Sequence, residues 1–309
     1  MGYTKGLHEI GDGVWAYLQP DGGWGWSNAG LIGGDGTSLL VDTLFDLRLT
    51  ADMLEQMRAR TPVAEHIATV VNTHDNGDHC YGNALMREAE IIATARCAEE
   101  MLQLPPSTMA AMLRAADSLG PAGRFVQRIF APFSFEDVPL TVPTRTFERQ
   151  LDLEVGGRAV SLLEVGPAHT EGDAVVHLAD EGIVFTGDIL FHGGHPIVWA
   201  GPVANWIAAC DRVLALQPSV VVPGHGPLAT AAALVDLKGY FELLAKEARV
   251  RFDAGMTPLD AARDIDLGPY AGWSEAERVV ANVHALYRDF GDPSPSDALT
   301  LMGEMAALA

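Results

Sequence analysis

Short apolar runs alternate with amphipathic segments along the first third of the chain. Residues 13–18 and 38–42 are apolar runs between glycine-rich turns, which is typical of strands. Residues 47–60 place leucine and methionine close to helical spacing and therefore predict a helix. Residues 67–72 form another apolar run, which predicts a buried strand. The alternation predicts an α/β protein.

The second half repeats this alternation and then becomes helical. Strands are predicted near residues 159–165, 174–178, 183–186 and 220–225, with a helix over residues 206–216. Beyond residue 228 the pattern is helical throughout. We therefore expect an α/β unit over residues 1–228, with a helical segment at 101–150, followed by a helical extension over 229–309.

Six histidine and aspartate side chains follow the apolar runs, at the points where predicted strands end. They are His74, Asp78, His79, His169, Asp188 and His225. Imidazole nitrogens and carboxylate oxygens are ligands that zinc prefers, and a catalytic zinc needs about three of them plus a position for water. One such histidine alone would indicate an ordinary surface or core residue. Six at successive strand ends predict a metal site held by a rigid scaffold.

The net charge of −21 limits the partners of the 309-residue chain. Such a surface repels phosphates, so we expect no nucleic acid and no anionic membrane as a partner. Residues 101–150 differ, because five arginines there outnumber four acids. This segment is the one place where an acidic partner could dock, with Arg124 and Arg128 as contacts. A solvated face of mixed charge is the other interpretation.

The sequence also predicts a compartment. No apolar run approaches the roughly 18 residues of a membrane span, and the first residues lack the apolar core of a secretory signal. Three widely spaced cysteines, Cys80, Cys97 and Cys210, give no disulfide framework and suit a reducing environment. We therefore expect a cytoplasmic protein.

Four motifs occur in the chain in a recognisable order. They are THDNGDH (73–79), GPAHTEGD (166–173), FTGD (185–188) and VVPGHG (221–226). In this order and spacing they resemble the metallo-β-lactamase superfamily, over residues 13–227. The resemblance implies a four-layer αβ/βα sandwich with the metal site at one edge of two facing sheets. Residues 1–228 would form that domain, and 101–150 would be a variable insertion in it.

The resemblance also implies a role for each ligand. His74 and His169 would bind a first metal, Asp78, His79 and His225 a second, and Asp188 would bridge them. The superfamily motif has histidine where this chain has Asn76, and a neutral amide oxygen binds zinc more weakly than an imidazole. We predict one tightly held ion at the second site and a weak or empty first site. The alternative is that Asn76 still coordinates through its oxygen. Zinc is expected, although iron and manganese accept the same ligands.

A closer likeness involves GGWGWSNAG (22–30) and the tail segments TPLDAARDIDLG and ERVVANVHALY. With the metal motifs they resemble the actinomycete aromatic-polyketide cyclase/thioesterase branch, the actinorhodin-type second-ring cyclases. This implies a polyketide thioester as substrate. His192 and His195 depart from the cyclase pattern.

Further residues are candidates for the reaction. Asp78 is a candidate for orienting water or accepting its proton. His192 and His195 are candidates for protonating a leaving group, with ordinary loop histidines as the alternative. Trp24 and Trp26 either stack on an aromatic or apolar substrate or pack inside the protein.

These observations predict a metal-dependent hydrolase or cyclase. It would act on an ester, thioester or lactone carbonyl of a large apolar or aromatic small molecule, free or linked to a carrier protein. A broad lactonase or glyoxalase-II-like thioesterase, and a silent ligand-binding member, remain as alternatives. The long amphipathic tail is compatible with a homodimer.

Overall fold

The structure is a computed structural model that describes residues 3–293 and 297–309. Within these ranges the chain forms twelve strands and ten α-helices. The strands are β1 (Gly6–Gly11), β2 (Val14–Leu18), β3 (Ala29–Gly34), β4 (Thr37–Val41), β5 (Ile67–Val71), β6 (Glu90–Thr94), β7 (Arg145–Phe147), β8 (Gln150–Val155), β9 (Arg158–Glu164), β10 (Ala174–Leu178), β11 (Ile183–Phe191) and β12 (Val220–His225). The helices are α1 (Leu47–Arg60), α2 (Gly77–Cys80), α3 (Ala95–Glu100), α4 (Pro106–Ala115), α5 (Gly120–Phe130), α6 (Val203–Ala215), α7 (Ala231–Asp253), α8 (Pro258–Asp264), α9 (Val279–Asp289) and α10 (Ala298–Ala306).

Two facing sheets form the centre of the fold. Strands β1 to β7 make a seven-stranded sheet in chain order, antiparallel up to β4 and parallel from there. The second sheet has the order β12-β11-β10-β9-β8, and only β11 and β12 run parallel. Apolar side chains from both sheets, such as Ile32 and Leu162, form one buried cluster. Gly30 lets the sheets approach, since a Cβ there would collide with the Phe185 ring.

Helices cover the outer faces of both sheets. Helix α1 buries Leu49, Met53 and Met57 in the same cluster as Leu31 and Leu40 of the first sheet. On the second sheet, α6 and α7 pack on β11 and on each other. This arrangement confirms the predicted four-layer αβ/βα sandwich.

Helix α1 shows how local sequence produces an element. Asp46 caps it, because its carboxylate accepts a hydrogen bond of 2.7 Å from the Leu49 amide. The helix ends at Arg60, where Thr61 is extended and precedes Pro62. Its bounds confirm the helix predicted over residues 47–60.

The segment 101–150 and the C-terminal helices are both joined to the sandwich. The segment contains α4 and α5 and ends in β7, which pairs with β6 at the edge of the first sheet. Helix α7 packs on β11, and α10 packs on α5. The division at residue 228 stays a prediction, since helices beyond it share an apolar core with the residues before it.

Two sequence expectations concern features outside the sheets. The three cysteines are buried and free. None of the helices in the described ranges is both long enough and apolar enough to cross a bilayer.

Candidate metal centre

The six predicted ligands meet at one edge of the two sheets. They lie on the loop after β5, the short helix α2 that follows it, the loop after β9, strand β11 and the end of β12. Their donor atoms form two groups, and within each group the atoms lie within 4.8 Å of one another. The groups are His74, His169 and Asp188, and Asp78, His79 and His225.

Asp188 stands between the two groups. Its carboxylate oxygens lie 3.1 Å from His79 Nε2 and 3.3 Å from His169 Nε2. The Nε2 atoms of His225 and His74 follow at 3.5 and 3.7 Å. A Cβ at position 224 would collide with this carboxylate, so the approach of β12 requires glycine there. Asp188 therefore occupies the position that a bridging ligand needs.

Each imidazole is oriented by a hydrogen bond on its outer nitrogen. The Nδ1 atoms of His169 and His225 lie 2.7 Å from the Ile197 carbonyl oxygen and 3.1 Å from the Gly22 carbonyl oxygen. Because carbonyls only accept, both Nδ1 atoms carry a proton and both Nε2 atoms face the centre. The Nε2 atom of neutral His169 is available to a cation. Burial lowers the pKa of His225, but Asp188 and Asp78 outweigh it and raise that pKa to about 9, so a bound cation would replace the Nε2 proton of this ring.

Asp42 orients the other two histidines and was missed by the sequence reasoning. Its Oδ2 lies 2.9 Å from His79 Nδ1 and accepts a 2.8 Å hydrogen bond from the Thr73 hydroxyl, which lies 3.0 Å from His74 Nδ1. Asp42 has a positive φ of 60°, unusual for a residue with a side chain. A 2.7 Å bond from the Thr73 amide to its Oδ1 holds this backbone. The only signal in the sequence was its place at the end of an apolar run.

The centre is electrostatically prepared for a cation. Burial lowers the pKa of His169 to about 4, so this ring is neutral near pH 7. Burial opposes ionisation of Asp188, yet the surrounding imidazoles, His225 first, hold its pKa well below the usual value. Three buried atoms of the centre, His74 Nε2, His79 Nε2 and Asp188 Oδ1, make no hydrogen bond of acceptable geometry, although the last two lie 3.1 Å apart. Buried polar atoms without partners are rare, and this donor set fits a divalent ion.

Asn76 faces the first group. Its side-chain oxygen is placed 2.9 Å from His169 Nε2, whose ring already donates from Nδ1. An amide oxygen and a nitrogen lone pair repel each other at this distance. Either both atoms would bind one cation, or the amide is rotated so that its NH₂ donates to His169.

A cavity of about 290 Å³ opens onto the two ligand groups. Its lining combines ligand residues, Asn76 and Arg278 with a larger set of apolar side chains. The apolar wall combines the 22–25 loop, the loop between β4 and α1, the 101–150 segment and α10 through Trp24, Phe45, Met109, Met112, Phe130 and Met302. The elements that are most distant in sequence therefore supply the walls of one site.

A family model described as the metallo-beta-lactamase superfamily matches residues 22–225. The chain belongs to this superfamily. A human acyl-coenzyme A thioesterase, MBLAC2, is 23% identical over 236 residues, which is 70% of this chain and 79% of that protein. A hydroxyacylglutathione hydrolase from Cereibacter sphaeroides is 28% identical over 160 residues, 52% of this chain and 48% of that enzyme. A linear primary-alkylsulfatase from Pseudomonas sp. is 27% identical over 180 residues, 51% of this chain, and the chain spans about a third (34%) of its length.

Solved structures share the metallo-β-lactamase fold. The sec-alkylsulfatase Pisa1 from Pseudomonas sp. has a TM-score of 0.69 at 18% identity, covering 94% of this chain and 52% of its own. A metallo-beta-lactamase family protein from Thermus thermophilus has a TM-score of 0.68 at 19% identity, covering 94% of this chain and 98% of its own. At such identities these similarities establish the fold alone. The polyketide cyclase branch stays a prediction.

The two predicted substrate-contacting tryptophans of this superfamily member have different surroundings. Trp24 lines the metal cavity, donates to Glu277 Oε1 at 3.1 Å, and meets the Phe130 ring edge-on. Trp26 packs on Phe133 with ring centroids 4.9 Å apart and does not line this cavity. The structure thus brings Trp24, but not Trp26, to the ligands.

Of the other predicted site residues, one lines the metal cavity and two do not. Asp78 lines the cavity, and its Oδ2 is 3.3 Å from His225 Nε2. The His192 ring is 2.9 Å from the Pro227 carbonyl oxygen and lines a different surface cavity. His195 is fully buried against the Tyr240 and Trp273 rings. The structure does not bring His192 or His195 to the reacting edge of the cavity.

The predicted docking arginines lie on the outer face of α5. Arg124 and Arg128 are both exposed and do not line the metal cavity. Arg128 covers the Phe125 ring at 4.8 Å and lies 3.5 Å from Glu277. Another arginine, Arg278, does line the cavity and was missed, because in the sequence it looks like an ordinary charged residue at the start of an amphipathic helix.

Proposed function

We propose that this protein is a metal-dependent hydrolase that cleaves the ester or thioester carbonyl of a substrate with a large apolar or aromatic acyl group. One observation carries the proposal: the cavity onto which the ligands open has a wall of aromatic rings and methionines. A reacting carbonyl would face the ligand groups while the acyl group occupies the apolar side.

The residues of the centre have two proposed roles, which are binding of a divalent ion and transfer of a proton. The two groups would hold divalent ions through His74, His169 and Asp188, and through Asp78, His79, His225 and the shared Asp188. A divalent ion supplies a nucleophile from water near neutral pH and acts as a Lewis acid towards a carbonyl.

Asp78 is the candidate proton acceptor. Burial works against its ionisation, but the nearby His79 and His225 lower its pKa below the usual value. The carboxylate therefore stays ionised at neutral pH. Because it lines the cavity, it can orient a water molecule and receive a proton from it.

The apolar wall favours substrates with long or bulky acyl groups. Each methylene moved from water to this wall contributes about 0.8 kcal/mol to binding. Met109, Met112 and Met302 are unbranched, so they can adapt to chains of irregular shape. A small acyl group would leave most of this wall without a contact.

The names of two relatives agree with thioester cleavage, since one is an acyl-coenzyme A thioesterase and another a hydroxyacylglutathione hydrolase. Within this class, a polyketide thioester remains our narrower proposal, supported by the sequence resemblance and by the aromatic wall. A lactonase or glyoxalase-II-like activity would use the same centre. The cytoplasm stays the proposed location.

The test is a hydrolysis panel with the metal-loaded protein. Acyl thioesters and esters of increasing chain length, together with aromatic acyl thioesters and lactones, are assayed for product release. We expect turnover that rises with acyl size and falls at least about 100-fold in Asp188→Ala. Asp211→Ala, an exposed aspartate of α6, is the matched control and should keep wild-type rates. Stable metal binding without turnover of any substrate would instead support a silent ligand-binding protein.

A further inference from the structure

Arg278 is a buried cation in the wall of the metal cavity. It directly precedes α9, its side chain is only 2% exposed, and it lines the same cavity as His169 and Asp188. Arginine is rarely buried to this extent unless its charge is paired. Its surroundings therefore need an explanation.

The guanidinium has few partners in the protein. One nitrogen, Nη1, donates to the His195 carbonyl oxygen at 3.1 Å, and Nε has no hydrogen-bond partner. In the described part of the chain, no carboxylate oxygen lies within 4 Å of its nitrogens. Glu275 and Glu277 attract it from a greater distance, and Glu277 is already engaged with Trp24 and Arg128.

Two aromatic rings fix the position of this group. The guanidinium carbon lies 4.3 Å from the Trp24 ring centroid and 5.2 Å from that of Phe191. Contacts with ring faces position the cation but leave the N–H donors at its edge free. The group is thus held in place without a hydrogen-bonding counter-ion.

The neighbouring ligands do not remove the need for an anion. A divalent ion would balance the two negative charges of Asp78 and Asp188, so these ligands would not neutralise Arg278, and Glu275 and Glu277 attract it without a contact within 4 Å. Burying an unpaired charge is costly, whereas a guanidinium and a carboxylate can form two parallel hydrogen bonds. A substrate group of negative charge would satisfy these donors.

We propose that Arg278 binds a compact anionic group, a carboxylate or a sulfate, on an otherwise apolar substrate. This inference rests on the proposed function, since it names the substrate class of the same cavity. Arg278 would thereby select acyl groups that carry a negative charge over neutral ones of equal length. The apolar wall would bind the methylenes between the anionic group and the reacting carbonyl.

Matched ester pairs test the selectivity. The aryl hexanoate is compared with the aryl monoester of adipic acid, which has the same chain length and a terminal carboxylate, and the shorter glutarate and succinate pairs vary the spacing. We expect the wild type to prefer the acidic ester of at least one pair. Arg278→Met should lower kcat/KM for that ester about 10- to 100-fold and change the neutral ester less than about threefold.

Two further variants control this comparison. Arg251→Met removes another mostly buried arginine, which is paired with Glu247 and Asp264 away from the cavity, and should leave the preference unchanged. Arg278→Lys keeps the charge without the planar fork and should retain part of the preference. If Arg278→Met does not fold, a partial loss of the preference for the acidic ester in Arg278→Lys serves as the test. Equal losses for acidic and neutral esters would overturn the proposal.

Calorimetry separates this proposal from the hydrolase proposal. Octanoate and octyl sulfate are titrated into the metal-loaded protein, each against octanol, so that the two sources of negative charge are distinguished. Binding of either anion should weaken about tenfold or more in Arg278→Met, while octanol binding stays the same. Anion binding that does not depend on Arg278 overturns this inference even if esters are cleaved. Anion binding that depends on Arg278, without cleavage of any ester, would support the anion site and contradict the hydrolase proposal.

Discussion

At the scale of single residues, Asn76 decides how many ions the centre can hold. The five other side chains of the two groups and the bridging Asp188 are brought together with their outer nitrogens oriented. Asn76 contributes only an amide beside His169. The first group therefore has two strong ligands and a shared carboxylate, whereas the second has three ligands and the same carboxylate.

Restoring a histidine at position 76 should restore the first site. We expect the wild type to retain about one equivalent of zinc after mild dialysis and Asn76→His to retain about two, because loss of even an outer-shell partner costs roughly 10- to 100-fold in affinity. Elemental analysis gives the number of ions per chain. Asn76→Ala is the control and should stay at one. Two equivalents in the wild type would show that the amide coordinates.

His195 should make the free energy of unfolding depend on pH, with lower stability in acid. Burial, followed by the charge of Arg278, lowers its pKa to about 4 from 6.5, so the folded protein keeps it neutral. As the pH falls below 6.5, the unfolded chain takes up a proton that the folded protein does not. The free energy of unfolding therefore decreases, by about 2 kcal/mol between about pH 7.5 and about pH 5.

Urea unfolding of the wild type and of His195→Phe at these two pH values measures this effect. Metal release at low pH affects both proteins equally, so the difference between them isolates His195. The variant should lose about 2 kcal/mol less than the wild type on acidification. Equal losses in the two proteins would mean that His195 does not stay neutral.

At the scale of elements, α10 links the end of the chain to the cavity. It packs on α5, and Met302 reaches the apolar wall while Leu299 on the same helix remains exposed. Its cap is local, since the Asp297 carboxylate accepts a hydrogen bond of 2.9 Å from the Thr300 amide. The helix thus contributes to the cavity wall, although it lies outside the superfamily match.

Shortening Met302 should alter the preference for acyl length. We expect Met302→Ala to lower kcat/KM for a dodecanoyl thioester about tenfold and to leave an acetyl thioester unchanged, because about two methylene contacts are lost. Steady-state kinetics with both substrates measures the difference. Leu299→Ala is the matched control and should resemble the wild type. A loss that is equal for both thioesters would indicate general destabilisation.

Local patterns explain which elements could be predicted. The helix over residues 47–60 and the strands near 67–72 and 220–225 carry their own periodicity and capping, and the structure confirms them. Within β8, exposed polar and charged residues alternate with partly or fully buried apolar ones, so the sequence has no continuous apolar run there.

The sequence predicted the ligands of the site and Trp24 in the cavity wall. Histidine and aspartate after apolar runs signal a metal, so those six positions could be named from the sequence. Arg278 and Asp42 act through tertiary contacts, with Trp24 and with His79, and no local pattern records such contacts. His192 and His195 follow Asp188 closely in the sequence and were therefore predicted to belong to the site, but neither side chain lines the metal cavity.

At the scale of the whole molecule, charge limits the partners. With a net charge of −21, an acidic carrier would be repelled except near the arginines of α5. Arg124 and Arg128 are exposed on the outer face of this helix, while its buried residue Phe130 lines the cavity. A carrier held there would be close to the cavity wall.

Charge reversal tests whether a carrier docks on α5. We expect Arg124→Glu combined with Arg128→Glu to lower kcat/KM for a carrier-linked thioester at least about tenfold, with a smaller effect at high salt. The same acyl group on a small thiol should be cleaved at the wild-type rate. The paired change Arg58→Glu and Arg60→Glu, on exposed residues of α1, is the control. Unchanged activity on the carrier-linked substrate would remove the carrier from the proposal.

The central claim is that a cation held by Asp78, His79, His225 and the shared Asp188 drives hydrolysis. The most direct measurement removes metal from the protein with a chelator and adds zinc back stepwise while thioester cleavage is followed. We predict no cleavage by the metal-free protein, and activity that rises in proportion to zinc and saturates near one equivalent per chain. Cleavage that persists after complete removal of metal, or that never appears as zinc is bound, would contradict the account.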